Sequence, residues 1–198
     1  MNSTTTKETT LKDLTPLKVN NEWTYRQTTF DKGTSRSKET TVINKVIDSL
    51  NYMGQTWFLV REFGDEFYLR NSENGQHCAE FEKKDLIQTS LYLKHPNSVK
   101  TTPFEYSEIV KQNDLNENSN IPNIETNRIN LVSKNIEIKI DNQIHHCHQY
   151  DISPIDIDTG EIENYKITIY IELGIGIIKH IIYDENEIVT SELINKKL

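Results

Sequence analysis

Alternation of apolar and polar residues with a period of two runs through most of this chain and points to β structure. In residues 22–30, EWTYRQTTF, Trp23 and Tyr25 fall on one face of a strand. Ile, Val, Thr, Tyr and Phe dominate the segments that follow, as is typical of strands. Only residues 82–94, EKKDLIQTSLYLK, offer a modest helical pattern, and residues 188–198 fit either a strand or a short helix.

Short turns that contain Gly, Asn or Asp separate these segments. Residues 22–84 predict a meander of about five strands, in which Asn74–Gly75 is a strong hairpin signal. A flat sheet of about ten strands would leave one face exposed, so the sheet is expected to curl. We therefore predict a mainly β protein: a single strongly curled antiparallel sheet, half-barrel or barrel-like, with at most one short helix.

The polarity of two segments suggests how the chain is divided. Residues 1–14 begin MNSTTTKETT, which has the composition of a solvated tether and no apolar stretch typical of a signal peptide. Residues 15–198 are expected to form one β domain. The polar, Asn-rich residues 111–127, KQNDLNENSNIPNIETN, are expected to form a mobile loop within it.

The charge balance argues against several classes of partner. The chain carries 22 Lys and Arg against 30 Asp and Glu, a net charge of -8, and has no concentrated basic face for nucleic acid. No run approaches the roughly 20 apolar residues of a membrane-spanning helix. The acidic balance raises one alternative function, an inhibitor or immunity-type protein that binds a basic partner protein.

Few residues carry recognisable chemistry. In IHHCHQY, residues 144–150, His146 and His148 would share one face of a strand and offer half of a metal site. No phosphate-binding loop, nucleophile elbow or catalytic Cys–His signature is present, so we predict a non-enzymatic protein without a cofactor. Cys78 and Cys147 would pair in an oxidising compartment or stay reduced in the cytosol, and the sequence leaves both open.

Aromatic residues on neighbouring predicted strands form a second candidate site. They are Trp23, Tyr25, Trp57 and Phe67. They either fill the core against the curled sheet or line a concave pocket for a lipid-like or other apolar small ligand. Trp23 and Trp57 are both expected on the concave side of the curled sheet, with any apolar ligand bound near them.

Two motifs resemble a known group of proteins. LTPLKVNNEWTYRQ, residues 14–27, resembles the opening strand of the TapB-like proteins, small exported bacterial proteins of unknown function. YIELGIGIIKHIIY, residues 170–183, resembles their closing signature. The matching positions are Pro16, Leu17, Lys18, Val19, Trp23, Tyr25, Gly174, Gly176 and Lys179. Asn20 replaces the usual glycine, and Asn also tolerates a positive φ.

The resemblance implies a curled antiparallel sheet and a place in the cell envelope, and it assigns no catalytic residue. Together with the polar leader, it predicts an envelope-associated β protein, periplasmic or lipid-anchored after removal of a signal. Such a protein would bind an apolar small ligand or act as a scaffold for a partner. A cytoplasmic location stays open on this sequence.

Overall fold

The computed structural model describes residues 12–82, 84–112, 123–155 and 165–198, which form one antiparallel sheet of twelve strands. The only helical element among these residues is a 3-10 turn, Pro96–Ser98. The strands are β1 Glu22–Asp31, β2 Arg36–Tyr52, β3 Gln55–Glu62, β4 Asp65–Ser72, β5 Gly75–Glu82, β6 Asp85–Lys94, β7 Phe104–Gln112, β8 Asn123–Ile140, β9 Gln143–Ile155, β10 Lys166–Glu172, β11 Gly176–Tyr183 and β12 Glu187–Lys197.

The sheet joins two six-stranded meanders. Its strand order is β6-β5-β4-β3-β2-β1-β12-β11-β10-β9-β8-β7, so the first and last strands pair in the middle. The two edge strands, β6 and β7, follow each other in sequence and form no ladder with each other over the described residues. The modest helical pattern in residues 82–94 is overridden because β6 pairs with β5 along its length.

The sheet curls until distant strands touch, which confirms the predicted fold class. Tyr150 on β9 donates its hydroxyl proton to the carbonyl oxygen of Lys94 on β6 at 2.7 Å, although these strands lie near opposite ends of the strand order. The Tyr106 hydroxyl of β7 accepts the Lys94 N–H at 2.8 Å and donates to the Tyr92 carbonyl at 3.3 Å. Side chains and main chain thus link the two edges where the ladder is missing.

We call the face that carries the main core the inner face and the opposite one the outer face. The core residues come from both meanders: Leu14, Trp23, Tyr25, Val46, Val60, Leu69, Leu93, Val99, Ile129, Leu131, Ile140, Cys147, Tyr150, Ile152, Ile169, Ile171, Ile177, Ile178 and Leu193. Burial of this apolar surface is the main stabilising contribution to the fold.

The segment that precedes β1 packs into this core. Leu14, which the sequence assigns to the leader, is 1% exposed. The Lys12 carbonyl oxygen accepts a hydrogen bond from the His95 ring at 3.0 Å. The Asp13 carbonyl accepts one from the Gly174 N–H at 2.7 Å, and the Thr15 carbonyl accepts one from the Asn71 side chain at 2.7 Å. The donors belong to the 3-10 turn cap, the β10–β11 turn and β4, so the segment ties both meanders together. Residues 1–11 lie outside the described part of the chain, as do residues 113–122 of the predicted mobile loop.

Two backbone features of the resemblance motifs have a visible cause. Asn20 adopts a φ of 75°, which asparagine tolerates, and its N–H donates to the Val46 carbonyl at 2.9 Å. A Cβ at Gly176 would lie 3.3 Å from Thr15 and 3.4 Å from the Trp23 indole nitrogen. The glycine therefore allows β11 to approach the N-terminal segment closely.

Cys78 and Cys147 are not joined in a disulfide in this structure. Cys147 is fully buried on β9, and burial raises the pKa of its thiol to about 12. Over the described ranges, no helix is long and apolar enough to cross a membrane.

Candidate functional site

The predicted aromatic pocket is almost filled. Trp23 and Tyr25 lie on the inner face of β1, as expected, and border a cavity of only about 10 Å³. The Trp23 indole N–H donates to the Ile175 carbonyl at 2.6 Å, and the Tyr25 hydroxyl donates to the Ile177 carbonyl at 2.9 Å. A space of this size holds about one water molecule, whereas small-molecule pockets measure roughly 300–1,000 Å³. This cavity cannot hold a fatty acid.

Trp57 does not lie on the inner face, so the prediction that both indoles share the concave side is wrong. Val60 and Glu62 of β3 border the cavity beside Trp23, and Trp57 is an odd number of positions away. Alternating side chains therefore place it on the outer face. The sequence of β3 could not reveal this because apolar residues occupy both of its faces.

Trp57 belongs instead to an aromatic cluster on the outer face. Its ring lies 5.8 Å from Phe81, and the Arg70 guanidinium carbon lies 5.0 Å from the indole centre. Phe81 also contacts Tyr52 and Tyr68 edge to face, at 5.5 and 4.8 Å. These neighbours leave Trp57 only 2% exposed, so it is a packing residue of β2–β5.

Phe67, the fourth predicted ligand-binding residue, faces inward. It pairs with Val60 across β3 and β4 and meets the Tyr92 ring edge to face at 6.3 Å. Like Trp23 and Tyr25, it packs against the core.

A carboxyl group also borders the small cavity. Burial raises the pKa of Glu62 to about 7 because the charged form loses hydration beside Val60, Tyr25 and Trp23. The folded state therefore holds a proton that the unfolded state releases near its ordinary pKa of 4.5. The free energy of unfolding is thus lowered progressively as pH rises from 4.5 to 7.

Replacing this carboxyl group is expected to stabilise the protein at high pH. Glu62→Gln should raise the free energy of unfolding by at most ~3 kcal/mol at pH 8 and change it little at pH 4.5. Denaturant unfolding at both pH values measures the difference. The exposed Glu66→Gln serves as the control, and an equal effect of Glu62→Gln at the two pH values would contradict the assignment.

The predicted metal pair is not assembled into a metal site. His148 is 5% exposed on β9 beside β10, and burial lowers its pKa to about 4. His146 is exposed, whereas its neighbours His145 and Cys147 are buried. No group of three or more His, Cys, Asp or Glu that could hold a metal occurs in the described residues.

A cleft at the rim of the sheet was not predicted from the sequence. It consists of two adjoining parts, of about 130 and 230 Å³, between the tip of the β8–β9 hairpin and the end of β12. The lining residues are Ile140, Asp141, Asn142, Gln143, His145, Leu193, Ile194, Asn195 and Lys196. His145 Nδ1 lies 2.7 Å from Glu172 Oε2, so the carboxyl group holds the ring in place. The two sides of the cleft are some 50 residues apart, and no sequence motif links them.

Ion pairs on the outer face fix the hairpin beside β12. Arg26 of β1 contacts Asp141 at the hairpin tip at 3.2 Å and Glu192 of β12 at 3.0 Å. Lys179 of β11 contacts Glu192 at 2.8 Å. Each such pair at the surface contributes at most about 1 kcal/mol, and together the pairs connect the hairpin tip with β1 and β12.

Comparisons with known proteins identify the fold and no family. No family model and no curated protein matches the chain. One similar solved structure is described as an exported protein with a YmcC-like fold from Bacteroides fragilis, at 12% identity and a TM-score of 0.52. Another is described as a lipoprotein from Parabacteroides distasonis, at 9% identity and a TM-score of 0.52. Each covers 94% of this chain, and the matches span 100% and 99% of those chains.

Proposed function

We propose that this chain is a non-enzymatic protein of the cell envelope that binds a partner protein through its outer surface. The observation that carries the proposal is the difference in volume between the cavity inside the sheet and the cleft at its rim. The cavity beside Trp23 and Tyr25 measures about 10 Å³, whereas the rim cleft offers about 130 and 230 Å³. A scaffold role is therefore better supported than storage of an apolar ligand beside these aromatic residues.

The residues of the rim cleft also favour binding over catalysis. His145 and Glu172 form a pair, but the lining includes no serine, threonine or cysteine that the imidazole could activate. Three of the nine lining residues, Asn142, Gln143 and Asn195, carry amide side chains, and such groups suit recognition by hydrogen bonds.

The envelope location rests on two independent likenesses. The opening and closing motifs resemble the TapB-like exported proteins, and the two similar structures are described as an exported protein and a lipoprotein. Membership of the TapB-like group remains a prediction.

Fractionation with cross-linking tests this proposal. The full-length gene product, expressed from its own gene, is expected in the envelope fraction and in a cross-linked complex with another protein. The purified protein is expected to show no change in tryptophan fluorescence with oleic acid. A wholly cytosolic product, or saturable fluorescence quenching by oleic acid, would contradict the proposal. A complex with a basic protein that dissociates at high salt would favour the acidic-inhibitor alternative.

A further inference from the structure

The β10–β11 hairpin is too short to pair with the full length of its neighbours. β11 pairs with β12 from Ile188 to Glu192 only, whereas β1 pairs with β12 as far as Lys197. On the other side, β10 pairs with β9 no further than His148. Residues 193–197 of β12 and residues 143–147 of β9 therefore each have one strand edge without a partner strand among the described residues.

These two edges border the rim cleft. Leu193, Ile194, Asn195 and Lys196 line one side, and Gln143 and His145 line the other. β9 and β12 run antiparallel to each other, because three antiparallel pairings connect them. The cleft thus lies beyond the end of the β10–β11 hairpin, between the edge of β12 and the tip of the β8–β9 hairpin.

Unpaired strand edges present rows of main-chain N–H and C=O groups, which an extended chain can pair with. An apolar side chain also lines the cleft, because Ile194 is 45% exposed there. The amides of Asn142, Gln143 and Asn195 can bond to a peptide main chain. The Glu172 carboxyl group holds His145 at the wall of the cleft.

We propose that the rim cleft binds an extended peptide segment of the partner protein, which adds as a β-strand to the free edge of β12 at residues 193–196. This inference rests on the proposed function, since it names the surface and the kind of segment that the partner supplies. Main-chain pairing gives affinity, and contact with Ile194 selects for an apolar residue in the segment.

A displayed library of random eight-residue peptides, selected on the intact protein, tests the inference. Selected peptides are expected to bind at least tenfold more weakly to Ile194→Glu. Ile87→Glu is the matched control, because Ile87 is 43% exposed on the edge strand β6 and the charge change is the same. The affinity of Ile87→Glu for the selected peptides should stay within about twofold of that of the native protein. Thermal unfolding of both variants verifies that each is folded.

N-methylation of the best peptide tests strand pairing without altering the protein. Because a strand directs successive N–H groups to opposite sides, methylation at alternate positions should abolish binding, whereas methylation at the intervening positions should be tolerated. Failure to select any peptide, equal loss with Ile87→Glu, or uniform effects of N-methylation would each overturn the inference. An envelope complex that survives Ile194→Glu would leave the proposed function intact and overturn only this site.

Discussion

Gly75→Ala is expected to destabilise the fold by at least ~3 kcal/mol. Gly75 begins β5 with a φ of +146°, and a Cβ there would lie 2.0 Å from the Leu93 carbonyl oxygen and 2.8 Å from the His95 nitrogen. Both atoms belong to the main chain of β6 and the residue after it, so no rotamer change relieves the clash. Relief would require β5 and β6 to separate at the end where Tyr150 and Tyr106 contact Lys94.

Gly54→Ala separates this clash from the cost of a positive φ. Gly54 has a φ of +76°, but no heavy atom lies within 4 Å of its Cβ position. Its replacement should cost only about 1 kcal/mol. Urea unfolding followed by circular dichroism measures both variants, and losses that agree within about 1 kcal/mol would contradict the close approach of β6.

Acidification is expected to destabilise the protein between pH 6.5 and 4. Burial lowers the pKa values of His148 and His180 to about 4, from an ordinary value of 6.5. Below pH 6.5 the unfolded chain gains protons that the folded protein does not, so each histidine lowers the free energy of unfolding by ~3 kcal/mol by pH 4. Glu62 offsets about one of these contributions between pH 4.5 and 6.5, because its pKa is raised.

His180→Phe tests this pH dependence. His180 is 6% exposed and stacks on Phe63 with ring centres 4.3 Å apart, so phenylalanine preserves the stack and removes the titration. The variant should lose ~3 kcal/mol less than the native protein between pH 7 and 4. The exposed His146→Phe is the control, and the same acid sensitivity in the native protein and His180→Phe would show that His180 does not carry the effect.

Much of the architecture follows from local signals in the sequence. Period-two alternation predicted the strands, and turn residues such as Asn74 and Gly75 separated them, because side-chain alternation and positive φ are properties of a few consecutive residues. The position of Trp23 and Tyr25 on one face of β1 also followed from alternation. Prediction of secondary structure was ambiguous where alternation is weak. Residues 82–94 combine helical spacing with strand-forming residues, and they form a strand because they pair with β5.

The site depended on contacts that no local pattern encodes. Trp57 is three residues from Val60 and therefore lies on the opposite face of β3. Which face of β3 is the inner one is known only from the packing of Val60 beside Trp23 and Tyr25 of β1. Leu14 becomes a core residue only when the curled sheet closes around the N-terminal segment. The rim cleft arises from the different lengths of β10–β11 and their neighbours, β9 and β12. The sequence by itself therefore determined the strands, because strand formation depends on neighbouring residues. It also predicted that the sheet curls, because a flat sheet of so many strands would leave one face exposed. Tertiary structure alone decided which face is buried and where strand edges stay free, because both depend on the register between segments far apart in the chain.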